Sequence, residues 1–309
     1  MTIYDAVKEY SVFLKLDMRP VSAERYLGHV RRLCVYFKNC EIQKITDRDI
    51  LDYLHLLRSL DFKPNGIAQL ATDIKHFLRY VSKKKWLSFD PELIPNIPRE
   101  YPLPRVGTDE NYQKILQAVD TGLQTKWNKK NAHVRNKALI MMLWDTGARN
   151  GEICSLDEKD IDTVHMKAVV RSEKRKSSFP FREIYWTQET NQALEQWLEI
   201  REELKRLSPD SHAPVFFGIT GGSYGRITNT TVGDIMREYS RKAGIPVFNP
   251  HSARHHFGHD LATKNANLPI ISGLMGHTNF ESSKRYTDLN NVERESMYNR
   301  FKRNALLNS

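Results

Sequence analysis

Five prolines fall between residues 91 and 104, at positions 91, 95, 98, 102 and 104. Proline fixes φ and has no amide donor, so a stretch this dense sustains neither a helix nor a strand ladder. It is read as a linker, and it divides the chain into two parts that must each find a core. A proline-rich tether also spans distance without coiling. With 309 residues, 40% of them hydrophobic, there is apolar material enough for two domains. The expected division is a helical domain over 1–98, a linker over 99–107 and a second domain over 108–309.

The first part reads as four amphipathic helices. Thr2 is placed to cap a segment in which Ile3, Ala6, Val7, Tyr10 and Phe13 recur at helical spacing. Ser22 precedes a second stripe of Tyr26, Leu27, Val30, Leu33, Cys34 and Phe37. Thr46 opens a third, through Ile50, Leu51, Leu54 and Leu57, with Asp47 and Asp49 complementing the positive helix start. A fourth follows Pro64-Asn65-Gly66 with Ile67, Leu70, Ile74, Phe77, Leu78 and Val81, and Lys83-Lys84-Lys85 ends it. Four such helices with short joins make a compact bundle. The lysines suit a helix C-terminus by the macrodipole alone, and they are also candidates for phosphate contacts.

The second part mixes elements, giving a mainly α fold with a small β-hairpin or sheet (α+β). Helices are expected over 109–119, 132–145, 187–205 and 229–243, the last closed by Gly244. Two β-rich runs, 167–172 and 178–186, flank the polar turn Glu173-Lys174-Arg175-Lys176-Ser177, which reads as a hairpin with a basic tip. The tail after residue 287 is again helical in pattern, with Val292, Met297, Tyr298 and Phe301.

Charge narrows the class of partner. The chain carries a net charge of +10, and both parts share it: 17 basic and 13 acidic residues up to position 100, 30 and 24 beyond it. A two-part body that is basic throughout suits a clamp around a polyanion, of which nucleic acid is the commonest. Three cysteines (Cys34, Cys40, Cys154) with no CxxC pair exclude a disulfide framework and imply a reducing compartment. The longest apolar run, Ala138 to Trp144, is far short of a membrane span, and the N-terminus lacks an apolar signal core. A cytoplasmic location without a membrane partner is the expectation.

Four segments put polar residues where a core would prefer none. Thr146-Gly147-Ala148-Arg149-Asn150-Gly151-Glu152 follows the apolar run; Thr-Gly breaks a helix, and Arg149 and Glu152 are neighbours on the face of the next. His251-Ser252-Ala253-Arg254-His255-His256 follows Pro250 and opens a helix, with His251 and Arg254 one turn apart. In Leu274-Met275-Gly276-His277, Gly276 ends a short helix and presents His277; Tyr286 stands nine residues on, in Ser283-Lys284-Arg285-Tyr286-Thr287. Each has a plainer reading by itself: a surface ion pair, a helix-end histidine, a half-buried tyrosine. The i, i+4 spacing of His251, His255 and His259 also suits zinc, but Arg254 between them would repel a cation and no HExxH glutamate follows.

Together these residues form a phosphoryl-transfer set that needs no metal or other cofactor. A phosphodiester under attack gathers charge on its non-bridging oxygens, and fixed donors such as Arg149, Arg254 and His277 stabilise it. Tyrosyl oxygen is a covalent nucleophile once a base such as His251 accepts its proton. The departing 5′ oxygen needs a proton, which Lys174 at the hairpin tip is placed to give.

The three strings Thr146-Gly147-Ala148-Arg149 with Glu152, His251-Ser252-Ala253-Arg254-His255, and Gly276-His277 followed by Tyr286 resemble the tyrosine recombinases of the phage-integrase family, most of all its Xer-type members. The separations agree, with 23 residues from Arg254 to His277 and nine from His277 to Tyr286. The likeness spans nearly the whole chain and implies a four-helix, SAM-like core-binding domain ahead of a catalytic domain. It implies Arg149, Arg254 and His277 on the scissile phosphate and His251 as acid/base. It further implies Tyr286 as nucleophile of a 3′-phosphotyrosyl link, and Glu152 orienting Arg149. The hairpin lysine is Lys174 or, because the family's Gly-Lys-Gly or Gly-Lys-Thr pattern is missing here, Lys176. Arg175 and Lys83–Lys85 are candidate DNA contacts. Further implications are a Holliday junction, a homotetramer on two double-stranded DNA sites, and strand exchange without metal or ATP. A type IB-like topoisomerase and an inactive DNA-binding relative are the alternatives. No role for His256 emerges.

Overall fold

The structure is a computed structural model and describes residues 1–100, 107–122, 127–171, 181–205, 213–220 and 223–276. The chain divides into two compact units, Met1–Leu103 and Pro104–Ser309.

The first unit holds α1 (Ile3–Asp17), α2 (Pro20–Tyr36), α3 (Asp47–Ser59) and α4 (Pro64–Lys83). Two helices begin with reciprocal caps. Thr2 Oγ1 accepts from Asp5 N while Asp5 Oδ2 accepts from Thr2 N, both at 3.2 Å. Thr46 and Asp49 repeat the arrangement at the head of α3. The other two begin with proline at the first helical position, where the missing N–H is no loss. The helix expected after Ser22 therefore starts earlier, at Pro20, and α4 starts at Pro64 itself instead of after Gly66. The apolar stripes meet in one core around Tyr10, Leu14, Leu27, Leu33, Ile50, Ile74 and Phe77. Each fully buried side chain of this size contributes about 1.5–3 kcal/mol.

The first part of the proline stretch docks on the helical unit, and residues 101–106 of the expected linker lie outside the described residues. Pro91–Leu93 forms a 3-10 turn, and Ile94 is fully buried in the first core. Lys75 Nζ donates to Ile94 O at 2.9 Å, and Asn65 exchanges two hydrogen bonds with the backbone of Glu100. Dense prolines exclude a long helix and a strand ladder but not docking: the carbonyls of Ile94 and Glu100 accept from side chains of α4.

In the second unit, α6 (Trp127–Thr146) packs against α5 (Asp109–Gly122), α8 (Gln188–Lys205) and α10 (Pro250–Thr263). Every residue from Ala138 to Leu143 is buried, so α6 is the centre of this core rather than an amphipathic surface helix. The strands β1 (Ile161–Asp162), β2 (Lys167–Arg171) and β3 (Phe181–Tyr185) form an antiparallel sheet in that order. Val170 pairs with Arg182 and Ala168 with Ile184. A second antiparallel pair joins β4 (Phe217–Thr220) to β5 (Ser223–Arg226). The remaining elements are α7 (Asn150–Cys154), α9 (Asn229–Lys242) and α11 (Leu268–Met275), α9 being followed by Gly244 at φ 65°. The fold is mainly α with small antiparallel sheets. Among the described residues no helix is long and apolar enough to cross a membrane.

Candidate active site

The site is built where α6 ends. Thr146 Oγ1 donates to Met142 O at 2.6 Å and accepts from Ala148 N at 3.1 Å, closing the helix and holding the turn after it. Gly147 takes φ 56°, a left-handed conformation that its missing Cβ permits, and a Cβ there would lie 2.3 Å from the Phe257 ring. Ala148 is buried, and Arg149 then stands in extended conformation as the residue that caps α7. The sequence Thr-Gly-Ala-Arg is thus a helix stop, a left-handed turn, a packing contact and a guanidinium, in that order.

Glu152 is the hub. It is 4% exposed, and it accepts from Arg149 N at 2.8 Å, Arg149 Nη1 at 2.9 Å and Arg182 Nη2 at 2.8 Å. Burial pushes its carboxyl up, but Arg182 and then the Arg149 contacts outweigh that, holding it below the usual carboxylate range. It is therefore a carboxylate, and its oxygens fix both guanidiniums.

Three arginines from three elements converge on the end of α11. Arg182 Nη1 donates to Leu274 O at 2.7 Å, Arg254 Nη2 to Met275 O at 2.6 Å, and Arg149 Nη2 to Gly276 O at 2.7 Å. The last carbonyls of a helix lack intrahelical partners and carry the negative end of its dipole, so guanidiniums complement them. Arg254, 6% exposed on α10, also donates through Nη1 to Gly147 O at 2.6 Å. Gly276 caps α11 at φ 62°.

Of the residues singled out in the sequence, Arg149, Glu152 and Arg254 are thus brought together. His251 sits exposed in the first turn of α10, one turn ahead of Arg254. Lys83, Lys84 and Lys85 are exposed at the end of α4 in the first unit, with Lys84 Nζ 5.8 Å from the Tyr80 ring centre and 6.0 Å from that of Trp86. Lys174, Arg175, Lys176, His277 and Tyr286 lie outside the described residues. No three His, Cys, Asp or Glu among the described residues are grouped as a metal site.

His256 has a packing role. Its ring stacks on Trp144 at 3.8 Å between centres, with Tyr112 on another Trp144 contact at 4.3 Å, and its Nδ1 meets Gly107 O at 2.9 Å. Arg182 was not anticipated from sequence. Its signal was strand phase: it alternates in step with the buried Ile184 and faces the buried Val170 across the pair, where an apolar residue is the rule.

The phage integrase family profile matches residues 105–293, which takes in this whole cluster. The chain belongs to the phage integrase family. Its curated relatives include tyrosine recombinase XerC of Roseiflexus sp. (strain RS-1), 25% identical over 82% of this chain and 77% of the relative. Tyrosine recombinase XerA of Pyrococcus furiosus is 24% identical over 92% and 89%. Among solved structures, a Tn1549 transposon integrase in complex with a circular intermediate DNA covers 97% of this chain and 99% of its own, with a TM-score of 0.74 at 17% identity. XerH recombinase bound to a palindromic difH substrate covers 91% and 80%, with a TM-score of 0.72 at 17% identity. This phage integrase family member is Xer-like, a tyrosine-type site-specific recombinase, as its sequence motifs led one to expect.

Proposed function

We propose that this chain cuts and rejoins double-stranded DNA at a specific site through a tyrosyl-linked intermediate. The observation that carries the reading is the convergence of Arg149 and Arg254 on the adjoining carbonyls of Gly276 and Met275. Two guanidiniums held in place before substrate arrives suit the non-bridging oxygens of one phosphodiester, and a preorganised donor costs no reorganisation as charge develops. His277, next in sequence after Gly276, would be a third donor.

In the cleavage step the Tyr286 phenolic oxygen attacks phosphorus, and its proton passes to His251. The bond from phosphorus to the 5′ oxygen breaks, and Lys174, or Lys176 in its place, supplies the proton that makes the leaving group a 5′ hydroxyl. The product is a 3′-phosphotyrosyl link, one phosphoester exchanged for another, so a second 5′ hydroxyl can reverse the step on a new partner without ATP. Four protomers on two DNA sites would exchange one strand pair at a time through a Holliday junction. Lys83–Lys85 and Arg175 would contact the backbone.

The test begins from fragmented genomic DNA carrying random nicks, which let the cut end diffuse away and trap the intermediate. After incubation with the chain, SDS denaturation and recovery of protein-linked DNA, sequencing should return one recurrent site. Arg149→Ala and Arg254→Ala should each leave no recoverable link. Recovery without a common sequence, or undiminished linkage in either variant, contradicts the reading.

A further inference from the structure

We infer that Arg182 is a positioning residue for strand cleavage, fixing Glu152 against Arg149 and anchoring the end of α11 beside Arg254. The inference deepens the function proposed above and rests on that reading of Arg149 and Arg254.

Three observations converge on it. Arg182 is 7% exposed and joins two structures that the sequence keeps far apart, the carboxylate of Glu152 and the carbonyl of Leu274. It does so from an inward strand position opposite Val170. A buried ion pair is replaceable by apolar residues of like volume with little loss of stability and often a gain, so packing alone gives no reason for a guanidinium there. What an apolar side chain cannot do is hold a carboxylate and a carbonyl in one plane. Next, the end of α11 is shaped around Arg182: a Cβ on Gly276 would lie 2.5 Å from its Nε and 2.8 Å from its Cδ. Finally, β3 is the strand that follows Lys174–Lys176 in sequence, and Arg182 is its second residue. One side chain therefore ties the return strand, the Glu152–Arg149 pair and the helix end that precedes His277.

The charge on Glu152 follows from the same contacts. Burial opposes its ionisation, and the Arg182 guanidinium is the largest single influence that favours it, joined by the backbone and side-chain contacts of Arg149. Without Arg182, Glu152 keeps fewer reasons to be charged and Arg149 loses the fixed end of its fork.

The experiment is single-turnover cleavage of a nicked duplex carrying the sequence recovered from the covalent link, with affinity for the uncut duplex measured alongside. Arg182→Gln should cleave about 100-fold more slowly, the loss expected from misplacing a reacting group by an ångström or so, with affinity for the duplex little changed. Arg182→Lys should fall between, because an ammonium restores charge but not the fork. Combining Arg182→Gln with Glu152→Gln should cost no more than the slower single variant, since both act through Arg149. Lys167→Gln, which breaks the exposed Lys167–Glu183 pair on the same two strands, should cleave like the unaltered chain.

Arg182→Gln cleaving at the unaltered rate overturns the inference. So do multiplicative losses in the double variant, or equal losses of binding and cleavage that Lys does not relieve, which mark a merely structural role. A second readout needs no DNA: with carboxyl-labelled glutamate, the Glu152 signal should titrate at higher pH in Arg182→Gln than in the unaltered chain, and an unmoved titration is again contrary. If the unaltered chain cuts no duplex, the proposed function has failed, and the titration alone decides whether Arg182 acts through Glu152.

Discussion

At the scale of single residues, the site is an economy of buried charge. Glu152 is charged only because Arg182 and Arg149 repay its loss of water, and that bargain depends on pH. Its folded pKa lies below its unfolded value of about 4.5, so its contribution to stability is complete above that value and is lost as pH falls through the folded pKa. Thermal unfolding should therefore find Glu152→Gln less stable than the unaltered chain by about 1–3 kcal/mol near neutral pH. The gap should narrow as pH drops below 4.5; a gap independent of pH over that range would show that the charge is not what stabilises. Which residues belong to this network was only partly legible. Arg149, Glu152 and Arg254 are legible as members of one ordered set of polar motifs. Arg182 did not, because its meaning depends on the register of β3 against β2 and on a carbonyl 92 positions away. His256 has no role legible in sequence, because its ring lies against Trp144, a contact that no spacing rule reveals.

At the scale of elements, turns do as much as helices to aim the arginines. Gly147 both permits the left-handed turn before Arg149 and offers its carbonyl to Arg254. Gly147→Ala should destabilise the second unit by more than the roughly 1–2 kcal/mol of left-handed strain alone, because its Cβ would meet Cγ, Cδ1 and Cβ of Phe257 within 3 Å. Chemical denaturation measures this, and a loss no larger than for an exposed helix position would contradict the packing. Helices were legible because burial imposes a 3.6-residue rhythm and threonine caps punctuate it, as at Thr2 and Thr46. The start of α2 differs from the expectation because Pro20 opens a helix without a capping side chain. The prolines after residue 90 were read for what they forbid, and their docking on α4 depends on Ile94 finding a core that periodicity does not display. The strands β4 and β5, four residues each, are too short for alternation to mark them, although Gly221-Gly222 between two short runs is a hairpin signal.

At the scale of the whole molecule, a net charge of +10 shared by both parts makes the proposed DNA complex an electrostatic one. Affinity should fall steeply between 50 and 200 mM salt, on the order of 10³-fold or more if six or more phosphates are neutralised. Fluorescence anisotropy with a labelled duplex reads it, and an affinity flat in salt would contradict a basic clamp. The charge and the separations between motifs were legible from sequence because chemistry at a phosphate demands particular side chains whatever the fold. The convergence of Arg149, Arg182 and Arg254 on one helix end was not, since it joins α7, β3, α10 and α11 through tertiary contacts alone. The central claim is covalent, and one measurement reaches it directly. The protein–DNA adduct that survives SDS is digested with protease and nuclease, and the peptide bearing the nucleotide is identified by mass. The account predicts a 3′-phosphoryl group on Tyr286 and no adduct from Tyr286→Phe, which should still bind the duplex. An adduct on any other residue, or one that persists in Tyr286→Phe, would contradict it.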